Sequence, residues 1–297
     1  MKILLVGKDG QVGWELQRSL ALLGEVTAVG RAEADLTIPD SLRTLVRQID
    51  PDIIVNAAAY TAVDKAESDA GTAYLVNAEA VGVLADEAAR ADAWLVHYST
   101  DYVFDGEKST PYQEDDATGP LSVYGKSKLA GEEQIRQRHA KHLIFRTSWV
   151  FAARGGNFAK TMLRLAKERN ELKVVADQFG APTSAELIAD ATALALQKIV
   201  QASDGGHALA GTYHLTASGQ TSWHQYAQYV IGLAHTTGVA LSTAPESVIA
   251  IPATSYPVPA PRPRNSCMST EKFRQAFGLQ LPDWRYHVQR LVAELTS

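Results

Sequence analysis

Two short stretches hold residue types suited to one kind of chemistry. Ser99-Thr100-Asp101 offers hydroxyls beside a carboxylate, and Tyr124-Gly125-Lys126-Ser127-Lys128 sets a phenol four residues before an ammonium. On a helix, residues four apart share a face, so Tyr124 and Lys128 would project together. An ammonium beside a phenol favours phenolate, which makes the proton easier to give and regain than the reference pKa of about 10 implies. A hydroxyl such as Thr100 would hold a substrate oxygen against that phenol. This is equipment for moving a proton on or off an alcohol or ketone. In a chain with 11 tyrosines the Tyr-x-x-x-Lys spacing arises readily by chance, so its weight comes from the surrounding elements.

Those elements alternate. Lys2-Ile3-Leu4-Leu5-Val6 is a short apolar run that reads as a buried strand of a parallel sheet. It ends in Gly7-Lys8-Asp9-Gly10-Gln11-Val12-Gly13, after which residues 14–23 have helical spacing. Glycines at a strand-to-helix turn let backbone approach a pyrophosphate, and the helix N-terminus adds free N–H groups and a positive dipole end. The turn is not a P-loop, because no Gly-Lys-Ser/Thr closes it. A second strand, Val26–Val29, leads into Gly30-Arg31 rather than the acidic residue typical of NAD sites. An arginine there suits a 2′-phosphate and favours NADPH over NADH. Asp35 and Leu36 follow near the expected adenine, and 41–49 has helical spacing. Asp52–Asn56 is a third strand, running into Ala57, Ala58, Ala59, Tyr60 and Thr61, whose small residues would let a flat ligand lie on backbone. Residues 73–90 form a long alanine-rich helix containing Asn77. Trp94–Ser99 is the strand that delivers Thr100, the helix 124–138 carries Tyr124 and Lys128, and His142–Arg146 is the next strand. Glu114, Asp115 and Asp116 read as a solvated acidic loop. The alternation predicts an α/β fold with a doubly wound parallel sheet.

After Trp149 the pattern changes. Helices are expected at 157–167, 185–200 and 223–233, a strand at 211–216, and a last helix opening at Pro282-Asp283-Trp284. Five prolines between Pro252 and Pro263 forbid a regular helix and predict an extended loop ending in Arg262 and Arg264, whose planar forks suit phosphate oxygens. The expected division is 1–150 for a Rossmann-like dinucleotide-binding domain, with contributions from later segments, and 151–297 for a smaller α/β substrate-binding domain.

Composition narrows the function. The net charge of −5 and the lack of a basic stripe argue against a nucleic-acid binder. No apolar run approaches the ~20 residues of a membrane span. A first strand starting at Lys2 leaves no room for a signal peptide, and the single cysteine, Cys267, excludes an internal disulfide, so a cytoplasmic location is expected. No HExxH or GxSxG occurs, which leaves a metal-centred or acyl-transfer mechanism without support.

Several stretches together resemble the extended short-chain dehydrogenase/reductase family, and more closely its dTDP-4-dehydrorhamnose reductase branch. They are Gly10–Gly13, Asn56–Glu67, Ser99–Phe104, Val123–Glu132, Arg146–Trp149, residues 157–162, Asp177–Thr183, Arg262–Ser266 and Leu281–Trp284. The resemblance implies hydride transfer from NADPH or NADH to the C4 ketone of a dTDP-bound 6-deoxy-4-ketosugar, dTDP-4-dehydro-L-rhamnose. In that reading Tyr124 delivers the proton, Lys128 holds the nicotinamide ribose, and Thr100 bonds substrate or phenol. Asp101, Val63 and Trp149 shape the sugar pocket. Gly7, Gly10, Gln11, Val12, Gly13, Asp35, Leu36, Ala59, Tyr60 and Thr61 line the cofactor groove, with Tyr98 nearby. Some relatives carry an acidic residue where Gly30 stands, so an NADH preference does not transfer. The resemblance also implies a homodimer with Mg2+ held by Glu15, Glu186 and Glu294. The alternatives are a related nucleotide-sugar epimerase or dehydratase, although Asp101-Tyr102 lacks a dehydratase's Asp-Glu, and a non-catalytic regulatory subunit.

Overall fold

In the computed structural model, which describes residues 1–296, six strands form one parallel sheet. In chain order its first half comprises β1 (Lys2–Val6), α1 (Gln11–Leu20), β2 (Glu25–Val29), α2 (Pro39–Ile49), β3 (Ile53–Asn56), α3 (Val63–Ala66), α4 (Ala70–Tyr74), α5 (Ala80–Ala91), β4 (Trp94–Thr100), α6 (Val123–Arg138) and β5 (His142–Thr147). The sixth strand comes from Gly211–His214, which pairs with β5 at the sheet edge. β1 lies between β2 and β3. The chain therefore moves outward to β2 and then starts again on the other side of β1. That reversal opens a crevice at the strands' C-terminal ends, where open α/β sheets bind ligands.

The strands are apolar on both faces because both are covered. Ile3, Leu5, Ile53, Val55, Val96, Leu143 and Phe145 pack with α1, the helix Ala185–Gln201 and the last helix, Trp284–Thr296. Leu4, Val6, Ile54, Leu95 and Ile144 meet α2, α5 and α6 instead. Each residue step crosses the sheet, so neighbouring apolar residues serve opposite cores.

The expected single helix over 73–90 is interrupted. A π turn at Leu75–Glu79 separates α4 from α5. It carries the buried Asn77, whose amide accepts from the Tyr60 N–H at 2.9 Å and donates to the Tyr60 carbonyl at 3.1 Å and to Ser127 Oγ at 3.0 Å. Such one-turn bulges often serve functional sites. Here it ties the loop after β3 to the helix of Tyr124. The acidic loop also departs from expectation. Glu114 is half-buried: its carboxylate accepts from the His214 N–H at 2.9 Å, its carbonyl accepts from Arg146 at 3.3 Å, and burial raises its carboxyl. It fastens the sixth strand to β5.

A smaller α/β layer follows. The strand Leu172–Val175 pairs in parallel with Val248–Ile251, and both pack against the helices Phe158–Glu168 and Trp223–Thr236 through Met162, Ala166, Ala227 and Ile231. The proline-rich segment is extended apart from one short turn at Ala253–Ser255, as its composition requires.

Candidate functional site

The crevice is a groove of about 810 Å3. One wall is the turn after β1. Gly7 adopts φ +96°, and a Cβ there would come within 2.6 Å of the Ala58 backbone nitrogen. A Cβ on Gly13 would collide with the Gly7 carbonyl. Gly13 therefore faces the strand and not the groove: it lets α1 approach β1, while Gly7, Gly10, Gln11 and Val12 do the lining. No side chain caps α1. This open, uncapped turn fits the phosphates of a dinucleotide.

The groove continues past Arg31, Asp35 and Leu36 on one side and Ala57, Ala58, Ala59, Tyr60, Thr61 and Val63 on the other. Arg31 is 82% exposed and lies 3.4 Å from Asp35, which in turn accepts from the Thr37 N–H and hydroxyl. Hydrogen bonds from Thr37 hold Asp35 below the usual carboxylate range despite some burial. Asp9 was not anticipated. Its carboxylate lies so close over Gly30 that a Cβ there would strike Oδ2. The acidic group missing from position 30 is thus supplied in space by the neighbouring turn.

Thr100, Tyr124 and Lys128 converge at the groove's inner end. Thr100 ends β4 and Ser122 caps α6, accepting from the Gly125 N–H at 3.1 Å, so Tyr124 sits in the first helical turn. The Tyr124 ring stands edge-on to Tyr102 at 5.5 Å. Burial pushes its phenol up to about 12, against a lowering hydrogen bond with Thr100, and the nearby Asp101 charge adds to the rise. The expected lowering by Lys128 is not met. Lys128 is buried, donates to the Tyr98 carbonyl at 2.6 Å and lies 3.1 Å from His97 Nε2; burial brings it down to about 8. Desolvation is the largest cause of both shifts, and Lys128 is not among the causes of the Tyr124 shift. A phenol that keeps its proton through neutral pH is suited to donate it.

Asp101 is buried behind Thr100, whose hydroxyl donates to it at 3.0 Å, and Oδ2 has no partner. Burial raises its carboxyl to about 6, against the lowering effects of the nearby Ser266 and Thr100 hydroxyls. Ser266 comes from the end of the proline-rich segment, which the Asn265 amide anchors to the carbonyls of Lys108 and Thr110. Arg262, expected to meet a diphosphate, is paired with Asp64 at 2.8 Å and bonds the Ala260 carbonyl. Trp149 lines the groove in a left-handed conformation, φ +49°, stacked on Trp223 at 3.5 Å. Gly180 is needed beneath it, since a Cβ would come within 2.6 Å of the indole. Strain of this kind at a bulky residue marks a held position. Tyr98 lines the groove and shares a 2.8 Å hydrogen bond with Thr192.

The magnesium expectation is not met within one chain. Among the described residues no three His, Cys, Asp or Glu side chains are grouped to hold a metal ion. Glu186 is near enough to help raise Glu15, but Glu15 pairs with Arg18 and Glu186 with Arg290; Glu294 lies on the last helix. Glu15 and Glu186 each have an arginine beside them.

Sequence reasoning missed Asp9, Ser266, Trp223, and the polar pair Asn56 and His97 behind Lys128. His97 had a readable signal: in a buried strand it alternates with Leu95 and Ser99 on the face toward α6. Asp9, Ser266 and Trp223 depend on chain crossings that local pattern does not encode.

Comparison with known proteins identifies the family. The family model described as "RmlD substrate binding domain" matches residues 1–297. A dTDP-4-dehydrorhamnose reductase of Burkholderia thailandensis is 54% identical over 297 residues, covering 100% of both chains. One from Escherichia coli is 54% identical over 299 residues, covering 99% of this chain and 98% of its own. Among solved structures, a Clostridium acetobutylicum dTDP-4-dehydrorhamnose reductase superposes with a TM-score of 0.89 at 34% identity, with both chains fully covered. The Bacillus anthracis dTDP-4-dehydrorhamnose reductase in complex with NADP gives 0.87 at 33%, covering 99% of each chain. With a full-length family match, relatives at 54% identity and solved structures of the same fold at 34% identity, the chain belongs to the dTDP-4-dehydrorhamnose reductase family.

Proposed function

We propose that this protein reduces the C4 ketone of dTDP-4-dehydro-L-rhamnose to the alcohol of dTDP-L-rhamnose, using NADPH or NADH. The observation that carries the reading is the convergence of Thr100, Tyr124 and Lys128 at the inner end of a groove whose outer end is the uncapped glycine turn. The bound nicotinamide supplies the hydride. The chain does the rest. Gly10, Gln11 and Val12 receive the pyrophosphate, and Arg31 and Asp35 flank the adenosine end. The Tyr124 hydroxyl gives its proton to the oxygen that was the ketone, with Thr100 fixing that oxygen in place. Lys128 holds the ribose next to the nicotinamide. Val63, Asp101 and Trp149 shape the sugar pocket, and the smaller α/β layer carries the nucleotide.

A coupled assay of NADPH oxidation across several nucleotide-activated 4-ketosugars tests the proposal. One NADPH consumed per ketosugar, with the dTDP-6-deoxy-L-sugar preferred, is the expected result. Turnover by tightly bound cofactor without external NADPH would mean an epimerase and reject the reading.

Cofactor choice has its own test. Arg31 supplies the cation for a 2′-phosphate, while Asp9 at Gly30 offers an acceptor for a 2′-hydroxyl. Arg31→Ala should therefore raise KM for NADPH about ten-fold, the order of one charge-assisted hydrogen bond, and leave NADH almost unchanged. Equal losses with both cofactors would remove Arg31 from the phosphate site.

A further inference from the structure

At the adenosine end of the groove each cation already holds a carboxylate. Arg31 lies 3.4 Å from Asp35. Lys8, in the turn after β1, donates to Glu33 Oε1 at 2.8 Å. The other oxygen of Glu33 accepts from the Gly30 N–H, also at 2.8 Å. One carboxylate therefore takes an ammonium and a backbone N–H together. A phosphate oxygen seeks the same two kinds of donor.

Their position is the end of β2. Gly30 and Asp9 line the groove. The place a Gly30 Cβ would occupy lies 3.3 Å from Lys8 Cε and against Asp9 Oδ2. In an open α/β sheet this turn meets the adenosine ribose, whose 2′ position carries a hydroxyl in NADH and a phosphate in NADPH. Two carboxylates, Asp9 and Glu33, thus flank Lys8 where that difference is read, and both act on its charge.

We infer that Glu33 is a specificity-determining residue that stands in for the 2′-phosphate of the cofactor: NADPH binds by displacing the Glu33 carboxylate from Lys8 and the Gly30 N–H, and NADH leaves that pair closed. The inference rests on the reading of the groove as a dinucleotide site. A glutamate that bonds the N–H three residues before it also has the form of a capping box, and the Ala34 N–H does bond the Gly30 carbonyl at 2.9 Å. A cap does not require Lys8, which reaches Glu33 from 25 positions earlier in the chain. Exchange is easy here. The Glu33 side chain is 48% exposed and that of Lys8 29%, and ion pairs so open to water add little stability. A phosphate monoester brings more charge and more acceptor oxygens than one carboxylate. Because the phosphate must first release Glu33, the preference for NADPH is held small, and one site serves both cofactors.

Calorimetric titration of the full chain with adenosine 2′,5′-bisphosphate and with 5′-AMP tests this without ketosugar or turnover. The two probes differ only in the 2′-phosphate. Glu33→Gln keeps an oxygen for the Gly30 N–H and removes the charge. Its Kd for the bisphosphate should fall about three- to ten-fold, as expected for relief of one exposed charge, with 5′-AMP within about two-fold. Lys8→Met should raise the bisphosphate Kd about ten-fold, the order of one charge-assisted hydrogen bond. In the Lys8→Met background, Glu33→Gln should gain less than about two-fold, since the carboxylate acts through Lys8. Unchanged bisphosphate binding in Glu33→Gln would leave Glu33 a cap alone and overturn the inference. Equal gains in both backgrounds would mean repulsion through space and would reject the exchange. Failure of both probes to bind would remove the dinucleotide groove itself, whereas failure of the reductase proposal alone shows as absent NADPH oxidation with bisphosphate binding intact.

Discussion

Tyr124→Phe is expected to lower kcat about 10²–10⁴-fold, the usual worth of one positioned acid, while KM for cofactor and ketosugar changes little. The substitution removes one hydroxyl and nothing else of consequence. The ring's edge contact with Tyr102 survives in phenylalanine, and the Ser122 cap that sets the first turn of α6 is untouched. A loss in kcat and kcat/KM together, with KM steady, is the signature of an interaction made only in the transition state. Burial holds the phenol at about 12, so its proton is present throughout neutral pH. A decline of kcat between pH 7 and 9 in the unaltered enzyme therefore belongs to another group, and Lys128, lowered to about 8, is the one in that range. Steady-state kinetics beside a thermal melt check the prediction. Turnover within two-fold of the unaltered enzyme at an unchanged melting temperature would remove Tyr124 as the acid.

Glu132→Ala should cost about 3–5 kcal/mol of stability, because it strands a buried guanidinium. Arg146 grips Glu132 with two parallel bonds, at 2.9 and 2.7 Å, and Arg136 adds a third at 2.9 Å. Glu132 is fully buried and Arg146 nearly so. Burial alone would raise the Glu132 carboxyl, but the hydrogen bonds and charge of Arg146 outweigh it and the net shift is downward. A carboxylate lowered by folding stabilises above its unfolded pKa, about 4.5, and that contribution is lost as pH falls through the folded value. The gap between unaltered protein and Glu132→Ala, measured by denaturant unfolding, should be widest near pH 7 and narrow below pH 4. Glu132→Leu combined with Arg146→Met should be milder than either alone, since the charge left without its partner, Arg136, reaches solvent. A gap below about 1 kcal/mol at pH 7 would show that water reaches Arg146 and that the pair is not structural.

The main sheet could be read from sequence because its strands are near-continuous apolar runs between glycine-rich turns, and because local spacing put Tyr124 and Lys128 on one helical face. The π turn could not. Nothing in the alanine-rich run distinguishes it from a regular helix, and its cause is tertiary: Asn77 bonds a loop 17 residues away and a serine 50 residues away. The direction of the Tyr124 shift was misjudged for a similar reason. Spacing reveals the nearby lysine but not the burial of both groups, and here burial is the larger effect. Arg262 illustrates the limit of composition. Arginines at the end of a proline-rich stretch suit phosphate, yet only the folded chain reveals Asp64 as the partner it holds.

The sheet's last strand sets a condition on how the molecule is made. Gly211–His214 pairs with β5 across 68 residues, and Ser19 and Arg18 of α1 bond Asp190 more than 170 positions away. A ribosome that has released only the first 150 residues has therefore supplied every proposed catalytic group but neither the edge partner of β5 nor the helix that covers α1. The face of α1 that meets Ala185–Gln201 lacks its cover until those residues arrive. Contacts this distant close slowly, and the half-made sheet exposes an open edge and apolar surface while it waits. The chemistry is encoded early in the chain, but its foundation is laid late, and the nascent protein is most vulnerable to association in the interval between them.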